Sequence, residues 1–130
     1  ASGPPALEDA GVTPQDMTYA SIYASFTITV LMQLEDRGFC KKGHGGKFVS
    51  DGNLISGVGK LPFNTDGGGL CSNHPVNRGG MTKILEAVRQ LRGEAHPKVQ
   101  VPNCDLAIAH GTGGLLGVRH AASTCILERA

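Results

Sequence analysis

Residues 64–80, NTDGGGLCSNHPVNRGG, carry one histidine through a glycine-dense loop and deliver it ahead of a strongly patterned helix. Met81, Ile84, Leu85, Val88 and Leu91 recur at the three- and four-residue spacing of a single helical face. Gly93 supplies the stop, Pro97 follows it, and Arg89 and Arg92 fall off the apolar stripe. Helix-terminal N–H groups and the macrodipole disfavour added positive charge, so His74 is expected to stay neutral and able to accept a proton. A neutral imidazole suits a general base acting on a thiol or an α-carbon. The competing reading is a loop histidine hydrogen-bonded to backbone. A second histidine–glycine turn, HGTGG at 110–114, follows an apolar run, and the two loops are candidates for one shared pocket.

Outward from that loop, the chain alternates helix and strand signals. PPALEDAGVTPQDM at 4–17 reads as the end of a helix, a glycine stop, and a turn in which Thr13 and Pro14 begin the next segment. Tyr19 to Tyr23 is a short strand candidate. In SFTITVLMQLEDRG, residues 25–38, Phe26, Ile28 and Val30 alternate like a strand, while Leu31, Leu34 and the Gly38 stop suit a helix. The breadth of the apolar face favours a helix, largely buried. Residues 41–60 are polar and glycine-rich without a period, and read as an excursion loop. After residues 93–104 come DLAIA, the HGTGG turn, LLGVRHA and ASTCIL, short enough for paired strands. The fold class is therefore mixed α/β.

Composition sets the outer limits. At 130 residues the chain suits one domain with a modest core, and 40% hydrophobic with 18% charged content is ordinary for a globular protein. A net charge of +1 with no basic stripe argues against nucleic acid, and no run is long enough to span a membrane. A small molecule or another protein is the expected partner. Starting at Ala1 without a signal pattern, the chain reads as processed or as a fragment. Cys40, Cys71, Cys104 and Cys125 form no CxxC pair, and are expected as free thiols in a reducing, cytoplasmic setting.

Other chemistry is weakly supported. GTGGLLG misses the dinucleotide fingerprint by one residue, and thirteen residues after Gly117 leave no room for the βαβ unit it needs. Cys71 and His74 make half of a metal site with no second pair, so no metal is expected, and a local Cys71–His74 nucleophile is a minor alternative. His44, His96 and His120 sit in polar company and read as surface residues. His110 ends an apolar run, where a catalytic group and a histidine satisfied by local backbone are equally good readings.

The blocks YASIYASF, GFCKKGHGG, NTDGGGLCSNHP, EAVRQLRGEA, QVPNCDLAIAHGTGG and STCIL, in that order, resemble the C-terminal half of a thiolase, nearest the sterol-carrier-protein branch. The similarity runs from about Tyr19 to the end of the chain. It implies one half of a layered αβαβα body, usually dimeric, whose N-terminal half supplies a cysteine nucleophile. Nothing in this sequence matches the motif around that nucleophile. The implied activity is coenzyme A-dependent C-acyl transfer, cleaving or condensing a 3-oxoacyl thioester, with the thioester as substrate and no permanently bound cofactor. An aldolase subunit, or a non-catalytic module binding acyl-CoA or a partner subunit, is the alternative.

By position, His74 matches the histidine that activates the nucleophilic cysteine and helps to form an oxyanion hole. His110 falls where many thiolases carry an acid–base cysteine and the sterol-carrier branch a histidine, which implies proton transfer at the substrate α-carbon. Tyr23 takes the slot of the asparagine or histidine that positions a catalytic water, and Ala24 and Ser25 replace the residues usual after it. Gly113, Gly114, Asn73 and Ser25 are the implied substrate contacts. The implied partners are an acyl-CoA and an N-terminal half or companion subunit, in a homo- or hetero-oligomer. Segment 26–34 is expected to be covered by that missing half.

Covalent acyl transfer needs a thiolate and an aligned base together. The purified 130-residue chain is therefore expected to be inactive in thiolysis of a 3-oxoacyl-CoA. Turnover by the chain alone, abolished by Cys71→Ser, would overturn this and promote the local cysteine–histidine pair.

Overall fold

The computed structural model describes residues 2–72, 74, 78–114 and 121–130. Its centre is a sheet of order β1-β2-β3, formed by β1 (Tyr19–Ile22), β2 (Leu106–Gly113) and β3 (Ala121–Glu128). β1 runs parallel to β2, with Tyr19 opposite Ala107 and Ile22 opposite His110. β2 and β3 are antiparallel, from Leu106 opposite Glu128 to Gly113 opposite Ala121. Every residue of β1 is buried, as expected of a strand covered on both faces.

The outer side of β1 is occupied without a full strand. Residues 62–64 run alongside it, with Ala20 N donating to Pro62 O at 2.9 Å and Asn64 N donating to Ala20 O at 3.0 Å. Asn64 then brackets Ile22 with its side chain, its Oδ1 accepting from Ile22 N and its Nδ2 donating to Ile22 O, both at 2.8 Å. A left-handed backbone at φ 46° sets that side chain along the strand, a conformation asparagine tolerates better than most residues.

Strand alternation divides the core into two layers. Ala20, Ile22 and Ile108 pack with Leu7 of α1 (Gly3–Asp9) and with Val30 and Leu34 of α2 (Thr27–Asp36). Tyr19, Ala107 and Ala109 face the other way, against Ala87 and Leu91. The first helix ends as expected, with Gly11 at φ 68° and Thr13 bonded through N and Oγ1 to the Asp16 carboxylate at 2.7 Å.

Four expectations need correction. HGTGG is not a turn: its first four residues continue β2 as far as Gly113, and the LLGVRHA strand candidate lies, except for Ala121, outside the described residues. The 26–34 helix forms but is buried on one side only: Val30, Gln33 and Leu34 point inward, while Phe26, Ile28 and Met32 are more than half exposed. The 41–60 stretch contains a short helix, α3 (Gly45–Ser50), started by Gly45 N donating to Glu35 Oε1 at 2.9 Å. After α4 (Gly68–Cys71), helix α5 (Gly79–Arg92) ends at Gly93 as predicted. Its buried face, however, is Lys83, Glu86, Ala87, Gln90 and Leu91, with Met81 and Leu85 exposed. The polar residues turn inward because the 64–69 loop and residues 99–101 supply their partners. All four cysteines are free, and among the described residues no helix is long and apolar enough to cross a membrane.

The outward stripe predicts self-association of the isolated chain. Met81→Glu combined with Leu85→Lys should abolish it in light scattering and suppress hydrophobic-dye binding, while folding stability moves by no more than about 0.5 kcal/mol per site. A wild-type chain that stays monomeric at high concentration and binds no dye would count against the exposed face.

Candidate active site

The histidine-bearing loop is fastened to α5 by buried polar groups. Thr65 Oγ1 donates to Glu86 Oε1 at 2.7 Å and accepts from Gln90 Nε2 at 2.8 Å and from the Tyr19 hydroxyl at 2.9 Å. Burial holds the Tyr19 phenol protonated by pushing its pKa well above the ordinary value. Lys83 Nζ, fully buried, reaches both carboxylate oxygens of Asp66 at 3.0 and 3.1 Å, and Asp66 Oδ1 also accepts from Gly68 N. Each of these buried charges and amides on α5 thus has a partner, which is the condition for burying it.

Two glycines let this loop and helix close on Tyr23. A Cβ at Gly69 would lie 2.4 Å from the Ala24 carbonyl oxygen, and one at Gly79 would lie 2.3 Å from Tyr23 Cε2. The Tyr23 backbone is fixed as well, its N–H donating to His110 O at 2.8 Å and its carbonyl accepting from Gln33 Nε2 at 2.9 Å. The ring is 9% exposed, and its hydroxyl is hydrogen-bonded to His74 Nδ1. The two rings stack at 5.6 Å with 14° between their planes. His74 is otherwise exposed to solvent. A phenol hydrogen-bonded to an imidazole can pass a proton either way, with the second ring nitrogen available to a reactant.

His110 takes a different position. Opposite Ile22 and two residues from Ile108, its side chain falls on the α1/α2 side of the sheet, whereas Tyr23 meets α5. The expected shared pocket is therefore not formed by the two imidazoles. They lie at the same level of the sheet on opposite faces, joined through the Tyr23 N to His110 O bond. His110 is 3% exposed, with Nδ1 bonded to Thr124 Oγ1 at 2.8 Å. Burial, helped by the Arg37 charge, pulls its pKa down to about 3 and keeps the ring neutral.

Of the other predicted site residues, Ser25 is half-buried between β1 and α2, while Gly113 and Gly114 are exposed at the end of β2. Asn73 and His120 lie outside the described residues. His44 and His96 are exposed, as expected. Among the described residues no cluster of three metal-ligating side chains occurs. Sequence reasoning missed Thr65, Asp66, Lys83, Glu86 and Gln90. The available signal was the 83, 86, 90 spacing of polar residues on one helical face.

The mixed α/β arrangement agrees with the comparisons to known proteins. Residues 1–129 match the thiolase C-terminal domain-like family, and the chain belongs to it. It is 38% identical over 122 residues to the benzoylsuccinyl-CoA thiolase subunit BbsB of Thauera aromatica, covering 91% of this chain and 31% of that protein. It is 42% identical over 104 residues to a 17-hydroxy-3-oxo-4-pregnene-20-carboxyl-CoA lyase of Mycobacterium tuberculosis, covering 79% of this chain and 25% of the lyase. Among solved structures, the Ltp2-ChsH2(DUF35) aldolase superposes with a TM-score of 0.81 at 37% identity, covering 98% of this chain and 30% of that one. The chain thus spans less than a third of the length of each of these relatives.

Gly79→Ala should displace the Tyr23 ring and cost about 1–3 kcal/mol in denaturant unfolding, the usual range for an overpacked site. Gly46, with nothing within 4 Å of a built Cβ, is the control. Gly46→Ala should leave stability unchanged or raise it by up to about 1 kcal/mol.

Proposed function

We propose that this chain is a C-terminal part of an enzyme that makes or breaks a carbon–carbon bond in an acyl-coenzyme A thioester, with Tyr23 and His74 as its proton-transferring pair. The observation that carries this is the hydrogen bond between the Tyr23 hydroxyl and His74 Nδ1. A tyrosine in the slot where thiolases resembling this chain position a catalytic water supports aldol chemistry. In that reaction the pair takes the proton from the β-hydroxyl of the substrate. The C–O bond becomes a carbonyl as the Cα–Cβ bond breaks, and its electron pair passes to the thioester enolate. Protonation of the enolate at Cα then releases the shortened acyl-CoA.

Thiolase-type acyl transfer is the second reading, supported by the 38% identity to a thiolase subunit. There a cysteine from the remaining part of the protein gives its proton to His74 and attacks the C3 carbonyl of the 3-oxoacyl thioester; the C2–C3 bond breaks with its electron pair passing to the thioester enolate, which is protonated at C2, and coenzyme A then takes the acyl group from the cysteine. Both readings need the part of the protein that this chain does not span, as a domain of the same polypeptide or a companion subunit. Coenzyme A thioester is substrate in both, with no resident cofactor.

The two chemistries separate in the full-length protein, assayed with a 3-oxoacyl-CoA plus coenzyme A and with a β-hydroxyacyl-CoA branched at the β-carbon. Tyr23→Phe and His74→Ala should each lower kcat about 100- to 10,000-fold on the preferred substrate, and the double variant should cost little more than either alone. Retro-aldol cleavage that survives cysteine alkylation establishes the aldolase. Thiolysis lost on alkylation establishes the acyltransferase. Full activity of both single variants would remove the pair from the mechanism.

A further inference from the structure

A cavity of about 120 Å3 opens between the start of α1, the end of α2 and the paired ends of β2 and β3. Gln33, Arg37, His110 and Thr112 line it. Four buried polar atoms with no hydrogen-bond partner among the described residues belong to these side chains: Gln33 Oε1, Arg37 Nε, His110 Nε2 and Thr112 Oγ1. Unpaired buried polar atoms are rare in folded proteins, and four around one space mark something that fills it.

Arg37 decides the chemistry. The residue is 6% exposed and its guanidinium donates through Nη1 to the Gln33 carbonyl at 2.9 Å, yet no carboxylate among the described residues forms an ion pair with it. The nearest acid, Asp36, lines the same cavity but is turned to Lys42 at the surface. A buried cation with no carboxylate in hydrogen-bond contact is expensive, and burial outweighs the more distant Asp36 charge to lower the Arg37 pKa to about 10. A hydroxyl chain meets His110 on its other side. Ser2 Oγ lies 2.8 Å from Thr124 Oγ1, which lies 2.8 Å from His110 Nδ1. In the tautomer in which Thr124 donates to Nδ1, the neutral ring carries its hydrogen on Nε2, beside the cavity. In that tautomer Arg37 Nε–H, His110 Nε2–H and the Thr112 hydroxyl present three donors and one positive charge. Gln33 contributes Oε1 as an acceptor, because its amide nitrogen is committed to Tyr23 O.

We infer that this cavity is a carboxylate-binding pocket, held by Arg37, His110 and Thr112, on the face of the sheet opposite the Tyr23–His74 pair. The volume admits a group the size of acetate with a water for Gln33, since a water takes about 30 Å3 of liquid volume; a coenzyme or nucleotide does not fit. The carboxylate is either a free small acid or an aspartate or glutamate side chain from the part of the protein that this chain does not span. The pocket stands independently of the catalytic reading, because it uses neither Tyr23 nor His74.

The test uses the full-length protein with any companion subunit. Thermal unfolding is followed in sodium acetate against sodium chloride at equal ionic strength, and crystal structures are determined in both salts. A free-acid pocket gives a saturable rise in Tm of about 2–4 °C with acetate. The rise is lost in Arg37→Met and reduced in Thr112→Val, and the crystals in acetate hold a carboxylate on Arg37 Nε. An internal partner gives no acetate response, and an aspartate or glutamate carboxylate on Arg37 in both salts; amidating that residue makes the protein acetate-responsive. If Arg37→Met does not fold, Arg37→Lys, which keeps the charge but loses the planar fork, should show a weakened response. Water alone on Arg37 Nε in both salts, with no acetate effect on the wild type, would overturn the pocket.

Discussion

The Thr65 hydroxyl and the Asp66 carboxylate hold the 64–69 loop to α5, and the rest of the candidate site inherits its geometry from that attachment. Thr65 gathers Tyr19 of β1 and Glu86 and Gln90 of α5 around one oxygen, while Asp66 receives Lys83 from the same helix. Removing one member of a buried ion pair typically costs about 3–5 kcal/mol, because the other charge is left without a partner. Gln90 extends the network, its Oε1 accepting from Val101 N at 2.8 Å, next to the approach to β2. One polar cluster therefore sets the angle of the helix, the path of the loop before His74, and the entry of the strand that carries His110.

The same attachment explains how far the sequence could be read. β1, α2, α5 and β2 follow from local periodicity and glycine stops, which act over a few residues. The inward face of α5 does not, because the partners that turn Lys83, Glu86 and Gln90 inward lie 17, 21 and 25 residues away in the chain. An apolar stripe is a good guide to burial when packing alone orients the helix, and here hydrogen bonding orients it. Helix α3 escaped notice for a related reason: its six residues begin with two glycines, and its start rests on Glu35 of another helix.

The site was half legible. Both histidine–glycine stretches could be picked out by glycine density, though the second is strand and not the turn that density suggested; Tyr23 could be picked out by its departure from the family pattern, but the Tyr23–His74 bond joins residues 51 apart and has no local signature. The side of the sheet taken by His110 was available from strand parity, since it shares the phase of Ile108 rather than of Ala107 and Ala109. Two glycine-rich stretches of similar composition thus end on different faces, because one is a loop that leads into a helix and the other is part of a strand.

Asn64 closes the outer edge of β1 with a side chain where a neighbouring strand would use backbone. Beyond it, Leu61 N and Phe63 N donate to Asn53 O at 2.9 Å and Leu54 O at 3.2 Å, so the short 62–64 segment is itself engaged on its far side. An open strand edge templates pairing with other chains and is a route to aggregation. Here the hazard is removed by one amide and two loop carbonyls, so a sheet of small, apolar strands can stay short without recruiting a stranger at that margin.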